Sequence, residues 1–331
     1  MRLAASAADA AVSLEEILAI CGHCLLPGAA EHLPSRPAIS ALDDPESAGP
    51  DSLTFVGSTT PLRTRAGLTA ALILAGPDVD VPAAAEKGLP MLRVASVHTA
   101  MAALLQALEP RILRLVAFSF GAGNRIAPSA VVEGCLEGDV SVGPGAYVGK
   151  GSFIGAGTRI EANAVIQDHV YIGRDCVIQS GAVIGSAGFG FFQTSAGLQA
   201  MPHLAGVEIG SDCWIGANAV IAAGVLHPTS LGRGCKLDSH VQIAHNVRLG
   251  DNCLLASQSG IAGSTVAGNR LRMGGASSVA GHLRLGEDIS IAACSGVTKD
   301  QPDRAVLAGF PARPIREWRL QQIALKRGDK T

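Results

Sequence analysis

The chain has 331 residues, of which 48% are hydrophobic and 16% charged, with a formal net charge of -2 at pH 7. That length holds two or three domains, and so little net charge excludes nucleic-acid binding driven by bulk electrostatics. No apolar run approaches the ~18 residues of a membrane span, and Asp9, Glu15 and Glu16 break the stretch where a secretory signal would lie. A cytoplasmic protein without an integral membrane segment is therefore expected.

Residues 1–110 read as a small α/β domain. Leu14, Ile17, Leu18 and Cys21 share one helical face, with Ser13 placed to cap the helix and Glu15 and Glu16 in its first turn. Leu53–Val56, Ala71–Leu74 and Met91–Val94 are short apolar runs between Gly, Pro or polar clusters, as suits buried strands, and Thr99–Leu108 reads as a closing helix. Cys21 and Cys24 have metal-like spacing but no second pair at zinc-ribbon distance, so a chance pairing at a helix end is preferred.

Residues 111–130 connect this unit to a stretch organised differently. From Leu136 to Ile184 an aliphatic residue returns every sixth position, and the beat resumes through Ile209, Ile215 and Ile221 and again from Leu231 to Val297, broken in that last run only by Ala267. A period of six matches neither a helix nor a half-buried strand and marks a repeat unit. It predicts a left-handed parallel β-helix over 111–300, three short strands to a triangular coil of eighteen residues. About twenty-four rungs make about eight coils, a prism ~40 Å long at the ~4.8 Å spacing of paired strands. Glycine often follows the aliphatic residue, as at Gly143, Gly155 and Gly173, and is read as supplying backbone angles that other residues resist. A β-sandwich would alternate by two and turn every 8–12 residues, which this chain does not do.

Two interruptions stand out. An insertion over 185–208 carries Phe189, Phe191 and Phe192 among glycines, and is read as a functional loop with an apolar wall. A four-residue slip separates Ile221 from Leu231, around Leu226-His-Pro-Thr229. After Val297 the repeat gives way to a cap and helix over 301–331, with Pro314 in the first helical turn and Trp318 packed back on the last coil. Cys176, Cys213, Cys235 and Cys253 each precede a core aliphatic residue by two and read as small buried fillers.

Residues eighteen apart stack in such a coil. His245 therefore stands under Gly263, and Gly263 under Gly281, whose neighbour is His282, so that two histidines share one edge about 10 Å apart. A single histidine on a repeat face is ordinarily structural, the reading kept for His203, His227 and His240. For His245 and His282 the constellation favours chemistry. The C-terminal third is also rich in Arg and Lys, including Arg248, Arg272, Arg284, Arg313 and Arg316, which makes either a solvated face or an attraction for an acidic partner.

At Gln242-Ile-Ala-His-Asn246, Ser259-Gly-Ile-Ala-Gly-Ser264, Ala280-Gly-His282, Ser295-Gly-Val-Thr-Lys299 and Gly309-Phe-Pro-Ala-Arg-Pro314 the chain resembles the UDP-3-O-(3-hydroxyacyl)glucosamine N-acyltransferases of lipid A biosynthesis, the LpxD family. The resemblance runs over nearly the whole chain. It implies a homotrimer with its sites between neighbouring prisms. The reaction implied transfers a 3-hydroxyacyl group from acyl carrier protein to the 2-amine of a UDP-linked acylglucosamine. No bound cofactor is implied; the carrier's phosphopantetheine arrives as part of the co-substrate. His245 matches the family's general base, Gly263 its backbone oxyanion donor and His282 its second histidine. Phe55 matches an aromatic that stacks on uracil, and Ser58, Asp238, Gln242, Phe189 and Phe191 are the further substrate-side positions. The acidic carrier protein gives the C-terminal basic residues a purpose.

Departures from the family pattern cluster on the acceptor side: Ser58 and Pro61 for Asn and Tyr, Ala187 for an acidic residue, Ala222-Ala223 for Asp-Arg, and Ser239 for Asn. The sequence thus reads as an N-acyltransferase, with a divergent hexapeptide acyltransferase for another acceptor and a non-catalytic lipid-binding trimer as alternatives.

Overall fold

The computed structural model describes residues 12–27, 33, 39–57, 69–79, 90–112 and 122–328. They divide into two compact units, one of residues 1–115 and 190–204, the other of residues 116–189 and 205–331. The insertion's tip thus clusters with the N-terminal residues, and the C-terminal cap with the repeat.

In the first unit a parallel sheet runs in chain order through β1 (Ala41–Asp43), β2 (Ser52–Val56), β3 (Leu72–Ala75) and β4 (Met91–Arg93). β2 and β3 are buried throughout, which explains their unbroken apolar runs. β1 has only three residues and no periodicity to announce it. Helix α1 (Leu14–Cys21) begins in a complete capping box: Ser13 Oγ accepts from Glu16 N–H, and Glu16 Oε2 accepts from Ser13 N–H. It ends in a short 3₁₀ turn, Gly22–Cys24, where Cys24 Sγ donates to the Cys21 carbonyl; burial pushes the Cys21 thiol up to about 12. Helix α2 (Val97–Ile112) buries Leu104, Leu105 and Leu108. The hairpin of Phe191–Thr194 and Gly197–Ala200 belongs to this unit and lays Phe192 against His98, ring centroids 6.3 Å apart.

The second unit is a parallel β-helix whose three faces are sheets of eight, eleven and nine strands. Pairing is parallel at a register of eighteen: Ile243 with Ile261, Ile261 with Val279, Leu237 with Leu255. The six-residue aliphatic positions point inward as three columns of one continuous core, and Ala267 is buried in its place in the series. Cys176, Cys213, Cys235 and Cys253 stack inside the same core, with Cys213 N–H donating to Cys176 Sγ at 3.4 Å.

The glycine reading needs correction. Gly143, Gly155 and Gly173 do not have positive φ; a Cβ there would stand 2.6–2.8 Å from the backbone of the next coil, so they are glycine because two coils approach closely. The left-handed conformation falls two residues later, at corners held by Gly145, Gly157 and Asp175. Pro314 is likewise not the first helical residue. It pairs with Leu307, and helix α3 (Ile315–Gly328) begins after it; Trp318 does pack back on the last coil, against Gly309, which follows the strand Val306–Ala308 stacked on Ser290–Ile291.

Where the chain leaves and rejoins the solenoid, His169 occupies a corner with φ 57°, its carbonyl accepts from Val207 N–H at 3.4 Å, and its Nε2 is buried without a hydrogen bond. Burial lowers its pKa against a smaller opposing pull from Asp168. The folded state therefore binds the proton less readily than the unfolded chain. The stability this contributes is present above the unfolded histidine value of ~6.5 and is lost as pH falls through the folded one. We expect the melting temperature to fall more steeply between pH ~7.5 and ~5.5 for the native chain than for His169→Asn, which tolerates the same φ; parallel curves would refute this.

Candidate functional site

His245 leaves the strand Gln242–Ile243 at the corner that follows it and is half-buried. One coil on, its imidazole lies against the Cα of Gly263: a Cβ there would be 2.7 Å from both Cε1 and Nε2. Only glycine leaves room for the ring, so the identity of residue 263 has a steric cause. The peptide after Gly263 is held at both ends, its carbonyl accepting from His282 N–H and the next N–H, that of Ser264, donating to the His245 carbonyl, both at 2.9 Å. The N–H of Gly263 itself donates no hydrogen bond among the described residues. Imidazole and available N–H thus lie together at one corner. Gly281 completes the column, and His282 takes the exposed left-handed position after it, φ 61°.

The imidazole is oriented from its far side: His245 Nδ1 is 3.1 Å from Asn246 Oδ1. With Nδ1–H donating to that oxygen, Nε2 carries the lone pair of the neutral ring.

The other expected residues are spread more widely. Gln242 is exposed on the same coil, three residues before His245. Asp238 is at the opposite edge of that face, its carboxylate accepting from Ser239 N–H at 2.7 Å and Ser257 N–H at 3.2 Å, which orders the preceding corner. Phe55 is buried in β2, 8% exposed, and is not an open stacking platform among the described residues. Ser58 and Pro61 lie outside the described residues. Phe189 and Phe191 are 89% and 53% exposed, whereas Phe192 turns to His98, so the hairpin's two phenylalanines do not share one wall. The alternation of the hairpin strand sends neighbours to opposite faces.

Of the basic residues, Arg233 pairs with Asp212 and Arg270 with Glu287 and Asp288. Arg248, Arg272, Arg313, Arg316 and Arg319 are exposed and make no ion pair among the described residues. A cleft of about 540 Å³ opens elsewhere on this unit, among Arg125, Ser141, Gly143 and Arg159, and contains none of the site residues named above.

The repeat is of a recognised kind. The family described as bacterial transferase hexapeptide (six repeats) matches residues 151–186 and 228–263, the second segment containing both His245 and Gly263. The hexapeptide repeat of succinyl-transferase matches residues 206–241. Among solved structures, UDP-N-acetylglucosamine O-acyltransferase (LpxA) from Moraxella catarrhalis is similar with a TM-score of 0.50 and 26% identity, covering 59% of this chain and 72% of that one. LpxA from Acinetobacter baumannii gives 0.50 and 25%, over 59% and 72%. The solenoid is accordingly the left-handed parallel β-helix that the period of six predicts.

More particular relatives carry the name UDP-3-O-acylglucosamine N-acyltransferase. That of Methylobacterium nodulans is 35% identical over 159 residues, 48% of this chain and 45% of that protein. That of Ectopseudomonas mendocina is 51% identical over 77 residues, 23% of this chain and 22% of that protein. The chain spans about half the length, or less, of the curated relatives it matches.

The contact between residue 263 and the imidazole is open to direct test. Gly263→Ala, whose Cβ would overlap the ring, is expected to leave the coils in register, displace His245 from Asn246 and lower any His245-dependent turnover by about 100-fold. A crystal structure with the ring in its native place would overturn the steric account.

Proposed function

We propose that this protein is an acyl-carrier-protein-dependent N-acyltransferase that moves a 3-hydroxyacyl chain onto the 2-amine of UDP-3-O-acylglucosamine, with His245 as general base. The observation that carries the reading is the contact of the His245 imidazole with Gly263, whose N–H is uncommitted, within a repeat whose relatives bear that enzyme's name.

The amine attacks the thioester carbonyl carbon as its proton passes to Nε2 of His245. Negative charge gathers on the carbonyl oxygen, where the Gly263 N–H is the donor proposed to meet it. Collapse breaks the C–S bond, and the imidazolium returns its proton to the departing thiolate, leaving amide, free thiol and neutral base. Imidazole suits this work because it exchanges protons near neutrality. His282, exposed two coils above His245, is assigned to substrate orientation. The unpaired arginines of the C-terminal third supply the attraction for an acidic carrier protein. A homotrimer, with each site completed between neighbouring prisms, is part of the same proposal, as is cytoplasmic location. Among the described residues no helix is long and apolar enough to cross a membrane.

One observation favours a second reading of the acceptor. Ala222 and Ala223 are both buried, with Ala223 N–H bound to the Ser186 carbonyl, so these positions offer an acceptor sugar no charged or polar side chain. An altered amine acceptor would suit that surface.

Incubation with 3-hydroxyacyl carrier protein and UDP-3-O-acylglucosamine should yield the amide, detected by mass. His245→Ala should reduce its rate by at least ~100-fold while leaving the melting temperature nearly unchanged, since the ring is outside the core. Transfer only to a different amine would establish the altered acceptor; undiminished turnover without His245 would reject it as base.

A further inference from the structure

The repeat slips by four residues between Ile221 and Leu231, yet the register closes over the slip, with Ile209 pairing with Leu231 and Ser230 with Arg248. The extra residues form a bulge one coil below His245, where Ile221 pairs with Ile243. Asn246, beside His245, is a corner residue with φ 60°, and asparagine is among the few residues that accept this angle. Its backbone alone could account for its identity.

Its side chain argues otherwise. At the corners of Asn163 and Asn252 the amide oxygen tucks over a glycine of the preceding coil, Gly145 or Gly234. Beneath Asn246 lies Gly224, which lacks the positive φ of those corners and would meet the amide nitrogen, at 3.1 Å from an added Cβ, rather than the oxygen; the amide instead engages the bulge. Its Nδ2 donates to the His227 carbonyl at 3.1 Å, its Oδ1 accepts from Val225 N–H at 3.3 Å, and its backbone N–H donates to Thr229 Oγ1 at 2.8 Å.

These contacts settle which way the amide faces. A carbonyl can only accept, so the atom toward His227 must be nitrogen; a backbone N–H can only donate, so the atom toward Val225 must be oxygen. That same oxygen faces His245 Nδ1, which must then carry the proton. A neutral histidine side chain in water prefers the proton on Nε2, the tautomer that could not act as base through that atom.

We propose that the bulge between Ala222 and Thr229 is a clamp and Asn246 the positioning residue it holds, together fixing His245 as the Nδ1–H tautomer with Nε2 ready to accept a proton. The proposal rests on the reading of His245 as base, but the tautomer can be measured without turnover.

The test uses full-length protein labelled with ¹⁵N-histidine and magic-angle-spinning NMR at a pH where imidazole is neutral, the His245 signals being assigned by their loss in His245→Ala. Native His245 should carry its proton on Nδ1. Asn246→Gly keeps the positive φ and removes the amide; it should move the proton to Nε2 and lower kcat at least ~10-fold with KM unchanged. Asn246→Asp, isosteric and tolerant of the same φ, still accepts from Nδ1–H and should restore the native tautomer and part of kcat. A native proton on Nε2, or a tautomer and kcat indifferent to Asn246→Gly, would overturn the clamp. An Nδ1–H signal that depends on Asn246 sustains it even if no amide product forms, a result that would count only against the acyl-transfer reading.

Discussion

Parallel hydrogen bonding between residues eighteen apart is the constraint from which the solenoid takes its order. Each coil can bury its aliphatic residues only against the coils above and below, so a one-residue shift would turn the inward set of Ile243, Ile261 and Val279 toward solvent. That penalty repeats at every coil. The register is therefore far stiffer than the two-residue strands would suggest, and it carries the corners with it. His245 meets Gly263 because Ile243 pairs with Ile261, two residues earlier on each coil.

The same stiffness makes the interruptions informative. A solenoid has no structural need of extra residues, and here two insertions are tied to each other. The chain returns from the long excursion at Ala205 and Gly206; these pair with Gly224 of the bulge, and Thr229 N–H donates to the Gly206 carbonyl. The bulge then holds Asn246, which meets His245. Backbone groups make most of these links. The arrangement is thus governed by chain geometry more than by side-chain identity, and a side-chain comparison along the coil would pass over it.

This explains what was legible in the amino-acid sequence and what was not. The period of six marked the coil, the three core columns and the stacking of His245 under Gly263, since all of these follow from arithmetic on a regular lattice. Gly143, Gly155 and Gly173 are not legible as close approaches, because a close approach of backbones and a positive φ, as at Gly185, both select glycine, and only coordinates distinguish them. The phenylalanines of the excursion were read as one wall because their alternation becomes visible only once the hairpin Phe191–Thr194 is known to be a strand. Asn246 adjoins His245 in the chain, yet nothing in residue type marks its role, because its partner, the His227 carbonyl, carries no residue-type signal. The slip was visible, but its place one coil beneath the histidine required counting through the irregularity.

A division of labour follows from where the register holds and where it lapses. The groups proposed for transfer, His245 and the Gly263 N–H, are in the lattice, where geometry survives change in the outward side chains around it. The departures from the LpxD pattern at Ser58, Pro61, Ala187, Ala222 and Ala223 fall where the six-residue period is absent or breaks, in the N-terminal unit, the excursion and the start of the bulge; Ser239 is the exception, at a regular corner. Outside the lattice a substitution alters a binding surface without disturbing the column. On the proposed function, acceptor preference can drift while the transfer geometry stays in place. The coupling runs through one narrow link, because Ala222 and Ala223 open the same bulge whose far end orients Asn246. A change there that reshaped the bulge, rather than merely its side chains, would reach His245.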